Sequence, residues 1–105
     1  MNITLLHIEE CPSWEEAGER LERALAAAGH GDERVDIVLL NTPEEAGQYP
    51  FAGSPTILID DVDLFPGAET TSSLACRVYR ADGRLAGSPT QEQIVDALRY
   101  LPVPA

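Results

Sequence analysis

The chain carries two cysteines, Cys11 and Cys76, and its candidate chemistry begins with them. Cys11 opens Cys11-Pro12-Ser13-Trp14, where the apolar run Ile3-Thr4-Leu5-Leu6-His7-Ile8 gives way to a helical pattern. A cysteine just ahead of a helix faces the positive end of the helix dipole, which favours the thiolate. The thiolate, rather than the thiol, attacks disulfides and binds soft metals. Proline at a helix start gives up only an N–H that lacks an intrahelical partner anyway. A local dithiol motif needs its second cysteine at position 14, and this chain has Trp14 there. The site is locally a single thiol. Glu9, Glu10, Glu15 and Glu16 oppose its ionisation. A helix end contributes about 0.3–1 kcal/mol, and each like charge several ångströms away costs about 0.5 kcal/mol through water. A moderately activated thiol, at most, is expected; the bland alternative is a cysteine left over from the fold.

The elements that must hold this site follow from periodicity. Residues 3–8 read as a strand buried on both faces. Trp14, Ala17, Leu21, Ala24, Leu25 and Ala28 recur at helical spacing, which predicts an amphipathic helix over 12–28, closed by Gly29 and Gly31. Val35 to Leu40 is a second strand, and the order suggests a parallel βαβ unit. Asn41-Thr42-Pro43-Glu44-Glu45 starts a helix kept short by Pro50 and Gly53. Gly53-Ser54-Pro55-Thr56 introduces a third strand, Ile57-Leu58-Ile59, followed by a polar connection over 60–73. Leu74 to Tyr79 reads as a fourth strand, with Leu74, Cys76 and Val78 on one face and Ala75, Arg77 and Tyr79 on the other. Asp82-Gly83 signals a turn. Thr90 and Gln93 form a capping-box pattern for a last helix with Ile94, Val95, Leu98 and Leu101 on its apolar stripe, ended by Pro102 and Pro104. No repeats are read in the chain.

That layout weighs on Cys76. Within an apolar strand, a free cysteine is usually a small hydrophobe. In a simple hairpin of the third and fourth strands, Pro55 lies near Arg80 and Cys76 falls toward the opposite end of the sheet from Cys11. A disulfide needs Cα atoms within about 7 Å, which this register does not favour. Cys76 is therefore expected as a core residue, with pairing to Cys11 through a register altered by the 60–73 connection as the alternative. Trp14 is expected to pack as the first apolar residue of its helix, with shielding of Cys11 or gripping of a substrate as the second reading. His7 reads as strand filling before general base. Asp60, Asp61 and Asp63 lack the glycine and terminal glutamate of a calcium loop and read as a solvated turn.

Composition narrows the function classes. A chain of 105 residues with 44% hydrophobic content suits one domain, 1–105, with a small core of its own. Its 18 acidic residues against 7 basic ones, all arginine, give a net charge of −11. Nucleic acid demands a cationic footprint, and anionic membrane surfaces repel such a chain, so neither is expected as a partner. No apolar run reaches the length of a membrane span, and Glu9 and Glu10 interrupt any signal-like start, so a cytoplasmic location is expected. In that compartment a purely structural disulfide is not expected. The two histidines show no zinc spacing relative to the cysteines, so no metal is expected.

The element order, the Cys-Pro at the first strand–helix junction and Gly53-Ser54-Pro55-Thr56 opening the third strand resemble the thioredoxin-like fold over nearly the whole chain. The resemblance implies an α/β domain of order β-α-β-α-β-β-α, with a mixed four-stranded sheet flanked by helices. It further implies an antiparallel third and fourth strand, and Pro55 in cis facing Cys11. More narrowly, Cys11-Pro12-Ser13-Trp14, Gly53-Ser54-Pro55-Thr56 and Ser73-Leu74-Ala75-Cys76-Arg77-Val78-Tyr79 are similar to short bacterial thioredoxin-like proteins. Some of these are named DF-family (seleno)proteins and some labelled alkylmercury lyases. The Cys-Asp-Cys arrangement of true organomercury lyases has no match in this sequence.

In that group Cys76 belongs to the pattern together with Cys11. The resemblance implies that Cys11 attacks a disulfide or oxidised thiol and that a second thiol, for which Cys76 is a candidate, resolves the mixed disulfide. Ser54, Pro55 and Thr56, with Trp14, would hold the partner, a thiol- or disulfide-containing protein or a low-molecular-weight thiol. No cofactor is implied, and a monomer or weak dimer is expected. Two rival functions stand beside this one: a thiol module capturing a soft metal such as Hg²⁺ or Cu⁺, and an interaction domain that keeps the fold without the chemistry.

Overall fold

In the computed structural model, which describes residues 1–81 and 83–100, strand β1 (Ile3–His7) is the axis of the molecule. It pairs in parallel with β2 (Val35–Leu39), from Ile3 opposite Val35 to His7 opposite Leu39. On its other side it pairs antiparallel with β3 (Thr56–Ile59), Leu5 opposite Ile57. Between β1 and β2 runs helix α1 (Ser13–Ala27), as the spacing predicts. Gly29 closes it with φ +84°, a left-handed residue that lets the His30 N–H reach the Leu25 carbonyl at 2.7 Å.

Because β1 has both neighbours filled, its alternate residues feed two cores. Ile3 and Leu5 meet Ala17, Leu21 and Leu25 of α1, together with Ile94 and Leu98 of the last helix, α3 (Gln91–Arg99). Leu6 and Ile8 belong instead to a cluster with Leu40, Ala46, Phe51, Leu58 and Cys11. Its cover includes a single turn, α2 (Pro43–Ala46), whose Thr42 cap accepts from the Glu45 N–H at 3.2 Å. The predicted capping box at α3 is complete. The Gln93 N–H donates to Thr90 Oγ1 at 3.1 Å and the Thr90 N–H to Gln93 Oε1 at 2.8 Å. Over the described residues the result is a compact α/β domain with a mixed four-stranded sheet and three helices.

The fourth strand of that sheet is not the expected one. It is β4 (Val62–Asp63), inside the stretch read as a connection, and the sheet order is β2-β1-β3-β4. Asp60 and Asp61 take φ of +51° and +65°, so two residues reverse the chain and set Val62 against Ile59. Left-handed angles at both central positions make the tight primed hairpin turn that aspartate tolerates. Leu74–Tyr79 forms no strand of this sheet. Its last residue begins β5 (Tyr79–Ala81), which pairs antiparallel with β6 (Arg84–Ala86) as a separate ribbon.

The expected faces are also exchanged. Arg77 and Tyr79 are buried, whereas Val78 is 60% exposed and Cys76 is exposed. Polar partners reverse the pattern. Arg77 Nη1 lies 2.8 Å from Asp63 Oδ2 and Nη2 donates to the Phe65 carbonyl at 2.7 Å, with the guanidinium 4.7 Å over the Tyr79 ring. A buried charge is tolerated where it is paired and hydrogen-bonded in this way. Asp82 of the expected turn, and Leu101, Pro102 and Pro104 at the end of α3, lie outside the described residues. No helix among the described residues is long and apolar enough to cross a membrane.

Candidate functional site

Cys11 lies just before α1, one residue ahead of Pro12, which has helical angles and precedes the first turn. Only 2% of it is exposed, because it closes the cluster of Leu6, Ile8, Leu40, Phe51 and Leu58. Its partner is brought by a different kind of contact. The Ser54–Pro55 peptide is cis, as the resemblance implied, and Ser54 is bound on both sides by an extended segment of the chain. The Ser54 N–H donates to the Ala75 carbonyl and the Arg77 N–H donates to the Ser54 carbonyl, both at 2.8 Å. This is a one-residue parallel bridge between Ser54 and Cys76. Ser54 Oγ in turn accepts from the Ile8 N–H at 3.0 Å, tying the same residue to the chain that leads into Cys11.

One buried serine thus fastens the two cysteine-bearing segments together. Cys11 and Cys76 form a disulfide with Cα atoms 5.9 Å apart, across 65 positions of sequence. The simple hairpin register that separated them is corrected: β3 reverses into β4 within two residues, and the freed chain from 64 onward returns along Ser54. The expected core role of Cys76 is corrected with it. Two further side chains, missed in the sequence, hold the returning segment. The Tyr79 hydroxyl donates to the Pro55 carbonyl, and burial keeps it protonated by raising its pKa far above the usual tyrosine range. Arg77 anchors the same segment through Asp63, so one member of the aspartate cluster is a structural counter-ion. An arginine and a tyrosine two apart in an otherwise apolar run were the available signal.

Gly53 belongs to this junction. Its φ is +105°, and a Cβ there would lie 2.8 Å from Arg77 Cβ, so the close approach of the two segments requires glycine. Thr56 Oγ1 donates to the Gly53 carbonyl and accepts from the Ala52 N–H at 3.2 Å, which commits its hydroxyl to the loop.

The remaining expected site residues divide. Ser54, Pro55 and Thr56 are buried, and Ser54 bridges to Cys76. Trp14 packs against the α1–α3 core and stacks on His7, ring centroids 4.1 Å apart. Cys11 belongs to the other cluster. His7 is itself buried, and its Nδ1 has no hydrogen-bond partner among the described residues. Burial lowers its pKa below the ordinary 6.5, outweighing the hydrogen bond involving the Ile8 backbone that acts in the opposite sense. Asp60 Oδ1 accepts from the Asn2 N–H at 2.7 Å. Among the described residues, no group of three or more His, Cys, Asp and Glu is placed to hold a metal ion.

The chemistry this geometry offers is that of one sulfur–sulfur bond joining two segments already tied together through Ser54. Neither a family model, nor a curated protein, nor a solved structure matches the chain.

Proposed function

We propose that this chain is a thioredoxin-like thiol–disulfide exchange protein whose redox couple is Cys11 and Cys76 together. One observation carries the reading: two cysteines 65 positions apart meet as a disulfide beside a cis-proline at the mouth of β3. The cysteine at the first strand–helix junction and a last helix sharing the core of β1 and α1 support the fold of the resemblance, as does an antiparallel partner for β3, although Val62–Asp63 supplies that partner in place of the expected Leu74–Tyr79. Cys11 accordingly works in a couple rather than as a lone thiol. In the exchange, a partner dithiol gives two electrons to the Cys11–Cys76 bond and leaves as a disulfide, its two protons passing to the two cysteine thiols. The reverse direction reduces a partner's disulfide to its dithiol, the two electrons and two protons coming from the Cys11 and Cys76 thiols as their bond re-forms.

The expected partner is a thiol- or disulfide-containing protein or small thiol. The frame also makes its docking different from the simplest expectation. The backbone of Ser54 and the carbonyl of Pro55, which would hold a partner's strand, are occupied by residues 75–79 of the same chain.

Reduction of insulin disulfides, with dithiothreitol as electron source, tests the proposal. The wild-type chain is expected to accelerate turnover, and Cys11→Ser and Cys76→Ser are each expected to abolish the acceleration. Wild-type turnover no faster than dithiothreitol alone overturns the proposal. Stoichiometric capture of Hg²⁺ or Cu⁺ by the reduced chain, without turnover, would assign the thiol pair to soft-metal binding instead. Neither behaviour would leave the interaction domain.

A further inference from the structure

Resting on the exchange reading, we infer that Cys76, not Cys11, is the sulfur that meets the partner. Cys11 is then the internal thiol that leaves and later returns. Access is the first reason. Cys11 is 2% exposed within a closed apolar cluster, whereas Cys76 is exposed on a segment outside any regular sheet. Exchange rates depend on which sulfur an incoming thiolate can reach. A partner approaching Cys11 must pass through Leu6, Phe51 and their neighbours; one approaching Cys76 meets solvent.

The leaving group is the second reason. Attack on Cys76 expels Cys11, which stands immediately before the 15-residue helix α1, whose dipole favours a thiolate at that end and offsets part of the opposing charge of Glu9, Glu10, Glu15 and Glu16. Attack on Cys11 expels Cys76, which is joined to an extended segment and has no helix behind it. A leaving thiol of lower pKa leaves faster.

Occupancy is the third. The peptide groups beside cis-Pro55 are bound by Ala75, Arg77 and Tyr79, so the route to Cys11 along that edge is filled by the chain itself. The polarity expected from the resemblance, with Cys11 attacking and Cys76 resolving, is thereby inverted.

A thiolate of a partner dithiol attacks the Cys76 sulfur; a partner–Cys76 bond forms while the Cys11–Cys76 bond breaks, its electron pair departing on Cys11. The partner's second thiol, deprotonated, attacks the partner sulfur of the mixed disulfide and releases the Cys76 thiolate. The partner leaves as a disulfide, and Cys11 and Cys76 take up its two protons. In the oxidative direction for the chain, the Cys76 thiolate attacks a partner disulfide, and Cys11 then displaces the partner's remaining thiol.

The test uses the oxidised wild-type chain, so no variant need fold. It is exposed briefly to glutathione, quenched in acid at a series of times and digested, and the adducts are located by mass spectrometry. Extrapolated to the earliest quench times, glutathione on Cys76 is expected to exceed glutathione on Cys11 by about tenfold or more, as access and leaving group both favour it. Equal amounts, or an excess on Cys11, overturn the assignment and leave the exchange reading standing. No adduct on either cysteine at any time overturns both.

Discussion

His7 shows most directly how a single side chain sets a working range. Its ring ends β1, is buried against Trp14 and leaves Nδ1 without a partner among the described residues. Burial lowers its folded-state pKa below 6.5, so the unfolded chain takes up a proton at a pH where the folded chain still refuses it. Stability linked to His7 is therefore complete above pH 6.5 and is lost as pH falls through the lowered folded value. The urea midpoint is expected to fall between pH 7 and pH 5, and His7→Phe, which preserves a ring for Trp14, is expected to flatten that slope. An unchanged slope would assign the acid sensitivity elsewhere. Cys76 teaches a different lesson at the same scale. The alternation around it was readable, but its direction was not, because Arg77 and Tyr79 take the interior through an ion pair and a hydroxyl bond and leave Val78 outside.

Among the elements, those whose stability is local were legible: α1 by its stripe, α3 by its capping box, β1 and β2 by composition. The pieces that escaped are governed by distant partners. β4 depends on a two-residue turn at Asp60 and Asp61 that the sequence offered only as an acidic cluster, and the bridge of Ser54 to Cys76 has no local pattern at all. The pentapeptide Ala-Gly-Ser-Pro-Thr makes the point within one chain, and corrects the reading of no repeats: it occurs at 52–56 and again at 86–90. In the first copy the Ser-Pro peptide is cis and Gly53 has a positive φ; in the second the threonine caps α3. The same five residues adopt what their neighbours impose. Gly53→Ala is expected to destabilise by about 1–3 kcal/mol, the cost of a left-handed non-glycine residue, with the Arg77 contact added. Gly29→Ala, where nothing lies within 4 Å of a new Cβ, isolates the backbone part. Equal losses in urea for both variants would show that the close approach to Arg77 costs nothing.

At the scale of the molecule, the disulfide joins the start of α1 to the far side of β4, so α1, β2, α2, β3 and β4 lie inside one covalent ring. In the chain-entropy account, a closed loop of that length limits the unfolded ensemble by about 4 kcal/mol. Reduction is therefore expected to shift the urea midpoint downward by a large fraction of the stability of a small domain. Coincident unfolding curves with and without reductant would mean that the link constrains nothing beyond what packing already holds. The ring has a further consequence. The exposed stretch from Pro66 to Glu69 lies within it, so a peptidase that cuts there severs the backbone without dividing the molecule. Damage at that position adds only one water to the molecule and leaves the two pieces linked while the sulfurs are joined. Once they part, the two pieces are held only by non-covalent contact, and the same electrons that open the disulfide also decide whether an old scar becomes a break.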